Sequence, residues 1–191
     1  MDNHADIISI SWGFHCDDIA TIREALQEAH NKGILILASA SNEGANDPIT
    51  FPANLPMVLC IGAADGMGNR SDFTSYKFGV EKYMALGVAV KGARVPLNNC
   101  LDERKSGSST ATPVAAGIAA LLIDYTRQWL DDCDVQNIEN MRKLFLAMSI
   151  QTEGNPNRYL APWSLFEHKE PRETIKRIIE GPLGNRTREQ S

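Results

Sequence analysis

The chain has 191 residues, 43% of them hydrophobic and 23% charged, the composition of one globular domain; a disordered or fibrous chain is excluded. Lys plus Arg number 19 against 24 Asp plus Glu, a net charge of −5, so no basic field draws nucleic acid or an anionic membrane surface. No apolar run approaches the roughly 18 residues of a membrane span. The start of the chain has neither a basic n-region nor a long apolar h-region, which points to a cytoplasmic protein.

The elements follow in chain order. Residues 5–13 read as a strand running into a glycine turn at Gly13. Residues 17–31 carry Ile19, Ile22, Leu26 and Ala29 at helical spacing, with acids at the start that suit the helix dipole. Lys32-Gly33 ends that helix. The solid apolar run 34–37 suits a strand buried on both faces, so strand, helix and strand form a right-handed βαβ unit. A third strand is expected at 58–61 and a weaker fourth at 86–90. Residues 111–129 read as a long helix with Pro113 in its first turn, apolar nearly all round from 114 to 123 and hence buried. A second helix at 135–148 puts Ile138, Met141, Phe145 and Met148 on one face. A turn at 153–156, an aromatic patch at Trp163 and Phe166, a short amphipathic helix at 173–180 and a polar tail complete the chain. Cys16, Cys60, Cys100 and Cys133 are widely spaced and match neither a C-x-x-C clip nor a zinc pattern, so four reduced thiols, no metal site and no cofactor are expected.

Two segments carry chemistry. In Gly107-Ser108-Ser109-Thr110-Ala111-Thr112-Pro113, small residues precede a helix start. Free N–H groups at such a start favour negative charge. A serine there can attack a carbonyl while its own N–H binds the oxyanion; the same pattern also suits a plain serine cap. Ser39-Ala40-Ser41-Asn42-Glu43-Gly44 lies just past a buried strand, where parallel sheets bind ligands, and Asn42 offers a neutral donor; Asn and Gly also suit a simple turn.

Taken together and in order, these segments resemble the subtilisin-like serine peptidases. Ser109 falls where that family has its nucleophile in G-T-S-M-A-[TS]-P, and Asn42 where it has the oxyanion asparagine in A-A-G-N-E-G. The run from Asp6 to Gly13 matches the strand and S-L-G turn of the substrate groove. Phe51-Pro52-Ala53, Ile61-Gly62-Ala63 and Phe73-Thr74-Ser75-Tyr76 match the blocks between them. The resemblance covers about residues 5–150, and the phrases at 36–44 and 105–120 are most similar to fungal intracellular members. It implies a doubly wound α/β fold, a mostly parallel sheet with helices on both faces. Residues 1–170 would be the C-terminal portion of the peptidase domain and 171–191 a short helix and tail. It further implies endoproteolysis of polypeptides through an acyl-enzyme on Ser109, with Ser11, Trp12, Gly13, Ser39, Ala40 and Ser41 lining the primary specificity pocket. Three positions depart from the family pattern: Ser108 for Thr, Thr110 for Met, and Ser41 for the Gly before the asparagine, which adds bulk at the pocket floor.

The larger departure is an absence. The family's Asp lies in D-[ST]-G and its His in H-G-T, both upstream of the first strand, and this sequence contains neither motif. His4, His15, His30 and His168 have no family counterpart and read as surface histidines. A serine hydroxyl is a poor nucleophile without a base, so the chain alone is expected to be inactive. A non-catalytic pseudo-peptidase, or a binding remnant, is the alternative. A βαβ unit that normally pairs with upstream strands should also leave an exposed edge that favours self-association. Two other readings fit less well. An α/β-hydrolase elbow needs glycine where Ala111 stands and a hydrophobic strand where Glu103-Arg104-Lys105 stands, though Ser109, Asp131 or Asp134, and His168 would fill its order. A sedolisin-type peptidase uses Asp where this chain has Asn42.

Overall fold

The computed structural model of the protein describes residues 4–16, 19–44, 47–75, 82–92, 104–130, 134–151, 158–167 and 169–180. The continuous apolar run after the first helix is explained by two cores. Strand β1 (Ile7–Ile10) is followed by helix α1 (Ala20–Asn31) and strand β2 (Leu35–Ser39). Leu35 and Leu37 enter one core, while Ile36 and Ala38 enter the other on the opposite face. Alternate side chains of a strand point to opposite faces, so a strand covered on both sides needs an unbroken run. The chain leaves α1 as expected: Gly33 takes φ +75°, and Ile34 N–H bonds back to the Ala29 carbonyl at 3.0 Å.

Strands β3 (Leu59–Ala64) and β4 (Lys82–Leu86) continue the sheet; β5 (Val90–Lys91) and β6 (Arg104–Lys105) form a separate two-stranded ribbon. Helices α2 (Ser108–Trp129) and α3 (Ile138–Met148), strands β7 (Ser149–Ile150) and β8 (Arg158–Leu160), and helices α4 (Trp163–Phe166) and α5 (Pro171–Glu180) follow. The main sheet runs β1-β2-β3-β4-β8-β7; the first five strands are parallel and β7 is antiparallel to β8. Helix α1 covers one face, with Leu26 and Ala29 in its core; α2, α3 and α5 pack in the core of the other. This is the α/β architecture expected from the sequence. Among the described residues no helix is long and apolar enough to cross a membrane.

Several boundaries move. The fourth strand lies at Lys82–Leu86, not 86–90. A charged residue at its start masked it, yet Lys82 is buried, and its ammonium donates to the Ser75 carbonyl. Burial holds Lys82 down at about 8 and pushes its register neighbour Cys60 up to about 12. The chain turns at Gly87, where a Cβ would lie 2.8 Å from the Gly107 carbonyl and 2.9 Å from the Ala111 Cβ. Helix α2 starts three residues earlier than expected, and it is not buried all round: Leu121 is 49% exposed, because only one side of the helix faces the sheet. Helix α3 starts later than expected, at Ile138, because the Asn137 side chain caps it by accepting from Glu139 N–H at 2.9 Å. Helix α5 sends Ile175 into the main core, and the Lys143 ammonium bonds to the Ile179 carbonyl at 2.7 Å. The turn at 153–156, Asp17 and the tail lie outside the described residues.

Candidate active site

The first turn of α2 builds the site. Its opening N–H groups have no helical partners by construction. Thr110 N–H and Ala111 N–H both bond to the Gly107 carbonyl, at 3.0 and 3.2 Å. Ser108 N–H donates to Asn42 Oδ1 at 2.7 Å. Ser109 N–H is the first-turn amide that these bonds leave facing outward, at the positive end of a 22-residue helix.

Asn42 is oriented by the same contact. A backbone N–H only donates, so the atom facing Ser108 must be the amide oxygen, and Nδ2 points the other way. The Ser108 hydroxyl adds a donor to Oδ1 at 2.9 Å, shared with the Ser41 carbonyl at 3.1 Å. Gly107 leaves room: a Cβ there would lie 3.3 Å from Asn42 Nδ2. An oxygen developing negative charge beside Ser109 N–H and Asn42 Nδ2 would meet two donors whose positions are already fixed.

Pro113 then explains how Ser109 is held. Proline has no N–H, so the carbonyl four residues earlier, that of Ser109, loses its helical donor. The Ser11 hydroxyl supplies one at 2.9 Å. In return the Ser109 hydroxyl donates to the Ser11 carbonyl, also at 2.9 Å. The expected first-turn proline is in fact the sixth helical residue, and it is tolerated because this carbonyl has another partner.

The expected site residues divide into two groups. Ser109, Asn42, Ser11 and Ser41 are brought together around the helix start, with Ser108 as the hub that the sequence reading missed. Trp12 and Gly13 run on from β1 beside residues 50–51. Phe14 and Phe51 exchange backbone bonds at 2.9 and 3.1 Å, and a Cβ on Gly13 would sit 2.2 Å from Thr50 Oγ1. Trp12 is 49% exposed and its ring lies 5.3 Å from that of Phe14. Ser39 and Ala40 are 4% and 0% exposed, so they back the site without an open face. Ser41 holds φ +101°, a glycine-like conformation. Also unforeseen is a bridge between the two loops, His15 Nε2 to Glu43 Oε1 at 3.0 Å. Of the signals missed, Pro113 four residues after Ser109 was the one readable from sequence.

The residues before Ser109 form the exposed ribbon strand β6, not a central strand, so an α/β-hydrolase elbow is excluded. His4 and His15 lie on the exposed surface, and His168 is outside the described residues. Among the described residues no group of three or more His, Cys, Asp or Glu side chains is placed to hold a metal ion.

Comparison with known proteins bears on the fold and the family. The chain is 36% identical over 110 residues to alkaline elastase YaB from Bacillus sp. (strain YaB), covering 58% of this chain and 28% of the elastase. It is 31% identical over 146 residues to the subtilisin-like protease het-Q2 of Podospora anserina, covering 73% of this chain and 39% of that protein. It thus spans well under half the length of either relative. In fold it superposes on the patellamide maturation protease PatA with a TM-score of 0.72 and 26% identity, over 91% of this chain and 64% of that one. The prenylagaramide maturation protease PagA gives 0.70 and 28%, over 81% and 56%. Residues 1–158 match the model of the subtilase family, and the chain belongs to that family.

Proposed function

We propose that the chain carries the nucleophile half of a serine endopeptidase site. Ser109 Oγ attacks the carbonyl carbon of a peptide bond, and the oxyanion is taken by Ser109 N–H and Asn42 Nδ2. Collapse of that tetrahedral adduct breaks the C–N bond and leaves an acyl-enzyme, with a base outside these residues carrying the Ser109 proton to the departing amine; water then hydrolyses the ester. The observation that carries this reading is the locked Asn42 amide: its oxygen is fixed by Ser108 N–H at 2.7 Å, which turns its donor end away from Ser108.

The sequence holds no D-[ST]-G or H-G-T motif, and the Ser109 hydroxyl donates to a main-chain carbonyl. We infer that these residues alone do not turn over peptide amides, since removing the base of such a site costs on the order of 10⁶ in turnover. Among the described residues β1 is paired on one side only. A parallel strand added there would end beside Ser11 and Ser109, where a base is needed; the same open edge favours self-association of the chain. The Ser11–Ser109 exchange also favours a second reading, a non-catalytic peptide-binding module.

Two measurements test this. Purified chain should leave casein uncut; cleavage that disappears in Ser109→Ala would overturn the inactivity. A peptide phosphonate should label Ser109 slowly, read by intact mass, and Ser109→Ala should not label. If folded wild type labels no faster than denatured chain, the hole is not assembled, and the binding-module reading stands in its place.

A further inference from the structure

The two loops that carry the site diverge from neighbouring strands and then meet again. β1 and β2 are in register up to Ile10 and Ala38. Beyond that point the first loop turns away to pair Phe14 with Phe51, while Ala40 N–H stays with the third strand through the Ile61 carbonyl. The loops are rejoined at His15 and Glu43, 3.0 Å apart. The gap between them is therefore bounded at one end by the start of α2, which Ser11 and Asn42 both hold, and at the other by the His15–Glu43 bridge.

This gap is where an acyl side chain must go if the proposed function holds, a reading on which the inference rests. A carbonyl oxygen between Ser109 N–H and Asn42 Nδ2 leaves its own residue's side chain next to the chain leading into each anchor, Ser11 on one side and Ser41 on the other. Three features border that gap. Ser39 and Ala40 behind it are sealed at 4% and 0% exposure. Ser41 puts a hydroxymethyl group on a backbone with φ +101°, a conformation at which glycine is the unstrained residue. The bridge shuts the far end.

We infer that the site selects small side chains, of the size of glycine, alanine or serine, at the residue whose carbonyl meets Ser109. His15 and Ser41 set that limit. A large aromatic side chain must break the bridge or displace the Ser41 wall before its carbonyl reaches the two donors.

The test uses peptide boronic acids that share one peptide and differ only in the terminal side chain, alanine against phenylalanine. Ser109 Oγ adds to trigonal boron, its proton passes to water, and the tetrahedral adduct is read by boron NMR and titration calorimetry. Wild type should bind the alanine probe at least tenfold more tightly. Ser41→Gly and His15→Ala should each cut that ratio to threefold or less by improving the phenylalanine probe. Both substitutions remove atoms at exposed or partly exposed positions, and either folded variant is sufficient. Equal or tighter binding of the phenylalanine probe by wild type, or a ratio unchanged in the folded variants, overturns the size limit while leaving the oxyanion site intact. Binding of neither probe beyond that of Ser109→Ala overturns the site itself, and the inference with it.

Discussion

Helix α2 is tied to β1 at both ends of the strand, and the two ties differ in kind. At the start of β1, Asp6 takes both guanidinium arms of Arg127, at 2.6 and 2.8 Å, and Gln136 adds a bond at 2.8 Å. At the other end Ser11 and Ser109 exchange two neutral bonds of 2.9 Å. The first tie is between charges that are 41% and 52% exposed, so water and salt screen it. The second involves a helix carbonyl that has lost its own donor to proline, so it depends on geometry. The comparison teaches that a strand can be anchored by charge where position is tolerant. At Ser11 and Ser109 the fixed points are main-chain carbonyls.

The largest effect expected is one that must be removed before the two ends are compared by pH. Lys82 is held at about 8, below its unfolded value of about 10.4. The unfolded chain therefore binds more protons between those values, and stability rises with pH there, by about 3 kcal/mol if this group acted alone. Cys60 works in the opposite sense. Its thiol is pushed up to about 12, so the stability it contributes is lost as pH climbs from about 8.5 to 12. The expected outcome in urea titrations is a rise of roughly 0.7 kcal/mol centred between about pH 8 and 8.5, then a plateau to about pH 10.4, then a fall. In Cys60→Ala the rise should continue to about pH 10.4. A flat profile in that variant would mean that Lys82 is not buried as a cation.

Asn42 separates structure from chemistry at the serine end. Asn42→Ala leaves the buried Ser108 N–H and hydroxyl without Oδ1, at a cost of about 2 kcal/mol. Asn42→Asp keeps an acceptor in that place and replaces the outward donor with a carboxylate oxygen. It should unfold near the wild-type urea midpoint, yet bind a peptide boronic acid on the order of 10²-fold more weakly. Equal boronate affinity for Asp and Asn would remove Nδ2 from the hole.

The fold was legible wherever burial forced a long pattern. The run at β2, the apolar face of α3 and the βαβ unit at the start of the chain all carry periodicity over many residues. β7 and β8 went unread because two or three residues cannot show a period. β4 was placed too late, at 86–90, because a lysine opens it, and only the folded chain shows Ser75 offering that lysine a carbonyl. In the candidate site, motif order foretold that Asn42 and the helix start carrying Ser109 lie together. Ser108 and the His15–Glu43 bridge were not legible, since contacts between residues far apart in sequence leave no local trace.

Ser11→Ala tests the geometric tie directly. It leaves the Ser109 carbonyl without a helical or a side-chain donor, at a position open to water, so the cost should be about 1 kcal/mol. Adding salt to 1 M should leave that cost unchanged, because neither partner is charged. Pro113→Ala in the same background should recover part of it, since alanine restores an N–H four residues after Ser109 and lets the helix bond its own carbonyl. If Pro113→Ala recovers nothing, the proline is not what freed that carbonyl.

Arg127→Gln tests the other end, and the expected change is smaller. Exposed ion pairs contribute roughly 0.2–1 kcal/mol, and solvent screening puts this one well inside that range. The Arg127 guanidinium, through its hydrogen bonds first, lowers the Asp6 carboxyl below its ordinary value. A lowered folded pKa gives stability that is present above the unfolded value of about 3.9 and lost as pH falls through the folded one. The Arg127→Gln deficit should therefore be visible at pH 7 in low salt, shrink in 1 M salt, and vanish in acid. A deficit that persisted in high salt would mean that the guanidinium acts by packing and direct hydrogen bonding, and that the two ends of β1 are held by the same kind of force.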